Sequence, residues 1–160
     1  MFPAPCAIST YIDKFYNDYD AANDYTYAGG LVGLLERNGV IDHCSVTGGS
    51  QAFSINSSTK AAIGGLVGQM RSGSMVANSW SDLGLNYGTV SMNEAEVAMG
   101  GICGKQAQNS LIANSASFGS VPGTIINGTI RVGGLVGYTD GAIYNCYTDS
   151  TTKLNVVLGV

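Results

Sequence analysis

Six residues, Ala28-Gly29-Gly30-Leu31-Val32-Gly33, recur with small changes as Ile63-Gly64-Gly65-Leu66-Val67-Gly68, as Met99-Gly100-Gly101-Ile102-Cys103-Gly104 and as Val132-Gly133-Gly134-Leu135-Val136-Gly137. Successive Gly-Gly pairs stand 35, 36 and 33 residues apart. At such a period each repeat is one supersecondary unit that buries its apolar face only against its neighbours, so the chain must form a stack. Helical repeats of similar length need long helix-period segments, and Gly, Asn, Ser and Thr interrupt every such window here. A propeller, at about 40 to 45 residues per four-stranded blade, is the closer competitor.

A second set of columns follows each glycine motif: Val40-Ile41-Asp42-His43-Cys44, Met75-Val76-Ala77-Asn78-Ser79, Leu111-Ile112-Ala113-Asn114-Ser115 and Ala142-Ile143-Tyr144-Asn145-Cys146. A β-branched residue is followed two places later by Asn78, Asn114 or Asn145, with His43 in the first copy, and then by Cys or Ser. Alternation turns the Ile/Val position inward on a strand. Asn suits a left-handed turn and offers an amide that stacks from coil to coil, after which the small Cys or Ser points back inward. Glycine is expected where the backbone turns a corner or leaves no room for a side chain. A third, more variable strand precedes each return, for example Thr89-Val90-Ser91-Met92 and Thr124-Ile125-Ile126. Three strands per repeat predict an all-β fold, a right-handed parallel β-helix (β-solenoid) of about four coils. In it Gly29, Gly30, Gly64, Gly65, Gly100, Gly101, Gly133, Gly134, Asn78, Asn114 and Asn145 are structural repeat positions.

The fourth copy, Gly133-Gly134-Leu135-Val136-Gly137 with Gly141, Ile143, Asn145, Cys146 and Tyr147, resembles the GLUG motif. This is a glycine-rich repeat of bacterial surface proteins, including large adhesins and the non-catalytic regions of IgA-cleaving metallopeptidases. The resemblance covers about residues 28–149, with departures at His43, at Cys103 and at the Ser of the two middle copies. It implies an extracellular β-solenoid used as a stalk or display surface, and it brings no catalytic residues with it.

Three segments follow: an N-terminal cap over 1–27, four repeats over 28–150 and an uncapped C-terminal strand over 151–160. The cap holds five of the nine tyrosines. Its apolar spacing at Ile8, Tyr11, Ile12, Phe15, Tyr16 and Tyr19, with Thr10 and Asp13 as a weak capping box, predicts a short helix over about 10–21. An irregular coil of aromatic-rich strands is the rival. The finish Asn155-Val156-Val157-Leu158-Gly159-Val160 is apolar and strand-like, so self-association through the solenoid ends is expected.

Charged residues are only 11% of the chain, the net charge is −4, and the seven basic residues are scattered singly. That argues against nucleic acid, which needs a basic stripe to track phosphates. No apolar run is long enough to span a membrane, and the N-terminus lacks the pattern of a signal peptide. Cys44 and Cys146 share a column but lie three coils apart, roughly 14 Å, too far for a disulfide. Structural thiols are the expectation, with Cys103 packing as a small hydrophobe and Cys6 unplaced.

No catalytic, metal or cofactor site is expected. Glycoside hydrolysis needs two carboxyls about 5 to 10 Å apart, and Asp42, Asp82, Asp140, Asp149 and the Glu94/Glu96 pair share no column in adjacent coils. His43, the single histidine, reads as a turn residue whose ring takes over the hydrogen bonding of the missing amide. Asn17-Asp18-Tyr19-Asp20 with Asn23-Asp24 is the densest set of Ca²⁺-type oxygen ligands but reads as a solvated face. Asn56 and Asn127 begin glycan sequons. Trp80 and Tyr87 are the candidate ligand patch. The leading functional expectation is a non-enzymatic extracellular structural or adhesive module displaying the loops Ser50 to Lys60 and Asp82 to Glu96 to a protein or glycan partner. The alternative is a carbohydrate-binding or carbohydrate-cleaving β-helix.

Overall fold

The structure, a computed structural model, describes residues 7–9, 18–20, 25–55, 60–87, 96–121 and 129–149. These residues form strands and turns and contain no helix. After β1 (Ala7–Ser9) and β2 (Asp18–Asp20), each repeat contributes four strands. Coil 1 is β3 (Tyr25–Gly29), β4 (Val32–Leu35), β5 (Val40–Asp42) and β6 (Ser45–Ile55). Coil 2 is β7 (Lys60–Gly64), β8 (Val67–Met70), β9 (Met75–Ala77) and β10 (Trp80–Tyr87). Coil 3 is β11 (Glu96–Gly100), β12 (Cys103–Gln106), β13 (Leu111–Ala113) and β14 (Ala116–Ser117), and coil 4 is β15 (Thr129–Gly133), β16 (Val136–Thr139), β17 (Ala142–Tyr144) and β18 (Tyr147–Thr148).

Equivalent strands pair in parallel, giving four sheets that run along the stack: β3-β7-β11-β15, β4-β8-β12-β16, β5-β9-β13-β17 and β6-β10-β14-β18. This is a parallel β-solenoid of about four coils. It has one more strand per coil than the sequence suggested, because the stretch after each Gly-Gly pair divides. A four-residue strand ends in a tight turn whose third residue is left-handed, at Asn38 (φ 60), Gly73 (φ 78) and Asn109 (φ 60). The column is Asn in two copies and Gly in the third, and the sequence reading did not single it out.

Register holds the repeat columns together. Ala28, Ile63, Met99 and Val132 stack through consecutive rungs, as do Ile41, Val76, Ile112 and Ile143. Ile63, Met99, Ile41, Val76 and Ile112 are all fully buried. Each such side chain stabilises the stack by about 1.5 to 3 kcal/mol through removal of apolar surface from water. The corner after each glycine pair is tight: the carbonyl of Leu66 accepts from the N–H groups of both Leu31 (3.0 Å) and Val32 (3.1 Å), and that of Ile102 from Leu66 and Val67. A Cβ on Gly64 would fall 1.9 Å from the Val67 carbonyl oxygen, so the motif is glycine for want of space.

One column changes character. Leu35, Met70, Gln106 and Thr139 share a row that is buried as far as Gln106 and exposed at Thr139. The Gln106 amide donates to the carbonyls of Ala142 (3.0 Å) and Ser110 (3.2 Å) and accepts from the Thr139 hydroxyl (2.8 Å), so its polar groups are paired.

The N-terminal helix expectation fails where it can be read. Residues 18–20 form β2, antiparallel to β3 with Tyr19 opposite Thr26, and β1 pairs antiparallel with β5. Alternating Asp18-Tyr19-Asp20 beside an open sheet edge gains ladder hydrogen bonds that a helix there would forgo. The remainder of the expected helix, residues 10–17, lies outside the described residues, as do the proposed third strands at 89–92 and 124–126 and the C-terminal segment 151–160. The segments expected to be display loops are partly strand: Ser50 to Ile55 continues β6 and Asp82 to Tyr87 continues β10, paired in parallel with two register shifts.

Candidate functional site

Left-handed residues set the first surface row. His43, Asn78, Asn114 and Asn145 have φ of 53°, 48°, 48° and 49°. Their amides form a ladder: Asn145 donates to Asn114 (2.7 Å), Asn114 to Asn78 (3.3 Å) and Asn78 to the carboxylate of Asp42 (2.8 Å). Contrary to the expectation from its column, the His43 ring does not take over the hydrogen bonding of the missing amide. Asp42 does, and His43 Nδ1 lies 2.9 Å from the other carboxylate oxygen. The Asn78 amide and then the His43 ring hold the Asp42 carboxyl below its ordinary value. Beneath the ladder, Ser79 and Ser115 point inward, each bonded to the carbonyl two residues back, and the Ser79 hydroxyl receives the N–H of Cys44 at 3.1 Å.

Beside the amides runs an aromatic row. Trp80, Ala116 and Tyr147 occupy successive rungs of one sheet. Phe118, two residues beyond Ala116 on the same outward face, places its ring 6.2 Å from Trp80 and 6.1 Å from Tyr147. All three rings are exposed. Because Ala116 carries only a methyl group, a depression of about 280 Å³ opens there, lined by Asn78, Ser79, Trp80, Asn114, Ala116 and Phe118. Sequence reasoning missed Phe118, which stands outside the repeat column; the signal available was period-two alternation from Ala116. Tyr87 ends β10 opposite Ile55. Its backbone lies seven residues along that strand from that of Trp80.

The carboxylates are dispersed. Asp82 lies in β10, Glu96 in β11 bonded to Arg131 at 2.9 Å, and Asp140 accepts from the Tyr138 hydroxyl at 3.0 Å. That bond, ahead of the negative charge itself, raises the Tyr138 pKa. The Asp149 N–H donates to the Ser117 carbonyl. Glu94, Asn17, Asn23, Asp24, Asn56 and Asn127 lie outside the described residues. Among the described residues no three His, Cys, Asp or Glu side chains are grouped to hold a metal ion, and no helix is long and apolar enough to cross a membrane.

Cysteine chemistry corrects one expectation. Cys103 is a fully buried thiol in the column of Val32, Val67 and Val136, and burial pushes its pKa up to about 12. Cys146 is also a free thiol, but Cys44 is disulfide-bonded. The spacing argument excluded only a bridge between Cys44 and Cys146 and left other partners untested. Cys6 lies outside the described residues.

Neither the curated proteins nor the solved structures contain a match to this chain. The family model of the GLUG motif matches residues 24–51 and 128–152. Those two stretches contain all of the strands of coil 4 and nearly all of coil 1, including both glycine pairs and the left-handed positions His43 and Asn145. The same columns recur in the two middle coils through strand register. The chain thus carries the GLUG motif in its first and fourth coils, which is consistent with a GLUG-repeat protein.

Proposed function

We propose that this chain is a non-enzymatic extracellular structural or adhesive module, a rigid rod whose outward side chains form the contact surface. The observation that carries the reading is the parallel pairing of equivalent strands in four sheets beneath two outward rows, an amide ladder that ends on Asp42 and aromatic rings on coils 2 to 4. Ladders of backbone hydrogen bonds and stacked buried side chains resist bending, and the outward positions are left to vary without cost to the core. Further support comes from the ends. β1 and β2 cover the N-terminal edges of two sheets, whereas coil 4 leaves Ile143, Tyr144 and Tyr147 exposed among the described residues. End-to-end association would use that coil.

Size exclusion with light scattering, followed by negative-stain imaging over a hundredfold concentration range, tests the structural part. Elongated particles that lengthen with concentration are expected; compact particles would overturn the rod, and a strict monomer would overturn the end-to-end contact. Protease treatment of intact expressing cells tests the location. Loss of the chain from intact cells is expected, and full protection until lysis would overturn it.

A further inference from the structure

We propose that the depression between Trp80 and Phe118 binds a neutral glycan, with the sugar rings lying along the solenoid axis over coils 2 to 4; the inference deepens the adhesive reading and rests on it. The aromatic rings supply flat apolar faces, with Trp80 and Phe118 inclined at 68° to one another around the gap left by Ala116. Amides border the same gap. Each of Asn78 and Asn114 spends one N–H and one oxygen lone pair on the ladder and keeps one donor and one acceptor for an outside partner. The ladder fixes the direction of those groups, so little side-chain freedom is lost on binding.

A pyranose has the matching chemistry, an apolar C–H face and an edge of hydroxyls that both donate and accept. None of the six lining residues is charged, which favours an uncharged chain over an acidic polysaccharide. A peptide adding as a strand would need an open sheet edge. β10 and β14 are each paired on both sides, so their backbone groups are already taken. The extension from Trp80 through Phe118 to Tyr147 follows the rungs, about 4.8 Å apart, which suits an extended chain of sugars better than a single small molecule.

Trp80 is the chain's single tryptophan, so its fluorescence reports on this site alone. The full chain is titrated with soluble β-glucan, xylan and galactomannan, with alginate and phosphatidylcholine vesicles as comparisons, and binding is confirmed by mobility in polysaccharide-containing native gels. A saturable Trp80 signal with at least one neutral polysaccharide is expected. Phe118→Ala and Ala116→Arg, checked for native circular dichroism, should each weaken gel retardation at least about tenfold, while Tyr138→Ala, on another sheet, should not. Retardation unchanged in Phe118→Ala and Ala116→Arg would overturn the site. Binding confined to alginate or vesicles, or to none of the probes, would overturn the neutral-glycan assignment. Rods in the scattering and imaging experiment, together with cell-surface exposure, would leave the module reading standing in either case.

Discussion

Placing one methyl group at Gly65 and at Gly134, two positions of the same column, separates what the glycine pairs do from what they are called. Neither residue is left-handed, so alanine is compatible with both backbones and only space decides. At Gly65 the new Cβ would lie 2.1 Å from the Gly101 carbonyl oxygen and 2.3 Å from Ser81 Oγ. Ordinary contact begins near 3.4 Å, so the corner of coil 3 has to retreat by about 1.3 Å. That movement disrupts the bonds from Gly65 N–H to Gly100 (3.2 Å) and from Leu66 N–H to Ile102 (3.0 Å). Overpacking costs about 1 to 3 kcal/mol and the two hydrogen bonds about 0.5 to 1.5 kcal/mol each. Reduced freedom of the unfolded chain returns about 0.4 to 1 kcal/mol. Gly65→Ala should therefore destabilise by roughly 2 to 5 kcal/mol. At Gly134 the nearest atoms belong to the Thr148 side chain, at 2.7, 2.9 and 3.2 Å, and that side chain can rotate. Gly134→Ala should stay within about 1 kcal/mol of the parent. Urea unfolding reads the difference, on the order of 1 M in midpoint for a slope of about 2 kcal/mol/M. Equal costs at the two positions would refute the reasoning, since they would mean that backbone crowds Gly134 as closely as coil 3 crowds Gly65.

Other substitutions probe the surface rows and the buried polar groups. Asn78→Gly keeps the left-handed backbone and loses two exposed ladder bonds, at about 1 kcal/mol, whereas Asn78→Ala also bears about 1 to 2 kcal/mol for its φ; equal urea midpoints for the two would contradict this. The Tyr25 hydroxyl is buried without a hydrogen-bond partner among the described residues, so Tyr25→Phe should be neutral or stabilising by up to about 1 kcal/mol. Burial first, then the charge of Glu96, raises the Tyr25 pKa from 10.0 to about 12. Its neutral form is thus favoured in the folded chain. The associated stability is complete below pH 10.0 and is lost as pH rises toward about 12. Alkaline unfolding curves should show that loss in the parent and a shallower one in Tyr25→Phe. Asp42 titrates in the opposite sense: its depressed pKa adds stability above the ordinary value of 3.8, lost as pH falls through the lower folded value. A carboxyl titration by nuclear magnetic resonance should place it below 3.8, and a value at or above that would deny the ladder its foot.

Much of the fold could be read from the sequence because the forces that set it repeat. The Ile/Asn/Ser order predicted an inward side chain, a left-handed residue and a second inward side chain, and Val76, Asn78 and Ser79 occupy those states. The division of each coil into four strands was not legible, since the left-handed turn is made by Asn38 and Asn109 but by Gly73 in coil 2, and these residues lie outside the columns that the repeat displays. At residues 18–20, apolar spacing counted over the wider segment suggested a helix, but pairing with β3 is a tertiary effect that local periodicity does not register. The disulfide at Cys44 was missed for a related reason: coil spacing limits only partners within the stack.

The candidate site was harder to read because function on such a scaffold resides where the repeat breaks. An inward position such as Ile112 has neighbours in the coils on both sides and no room to change. Outward positions face water on one side, so Ser45, Trp80, Ala116 and Tyr147 can differ along one column without disturbing register. The same holds at the ladder foot. Asn78 needs an acceptor from coil 1, and a carboxylate, which only accepts, meets that need from Asp42, one residue before the column. His43 is then released from the ladder and pairs with the same carboxylate. Departures from the period are therefore the places to look for binding chemistry, and one of them, a methyl group between two large rings, is the depression beside Trp80.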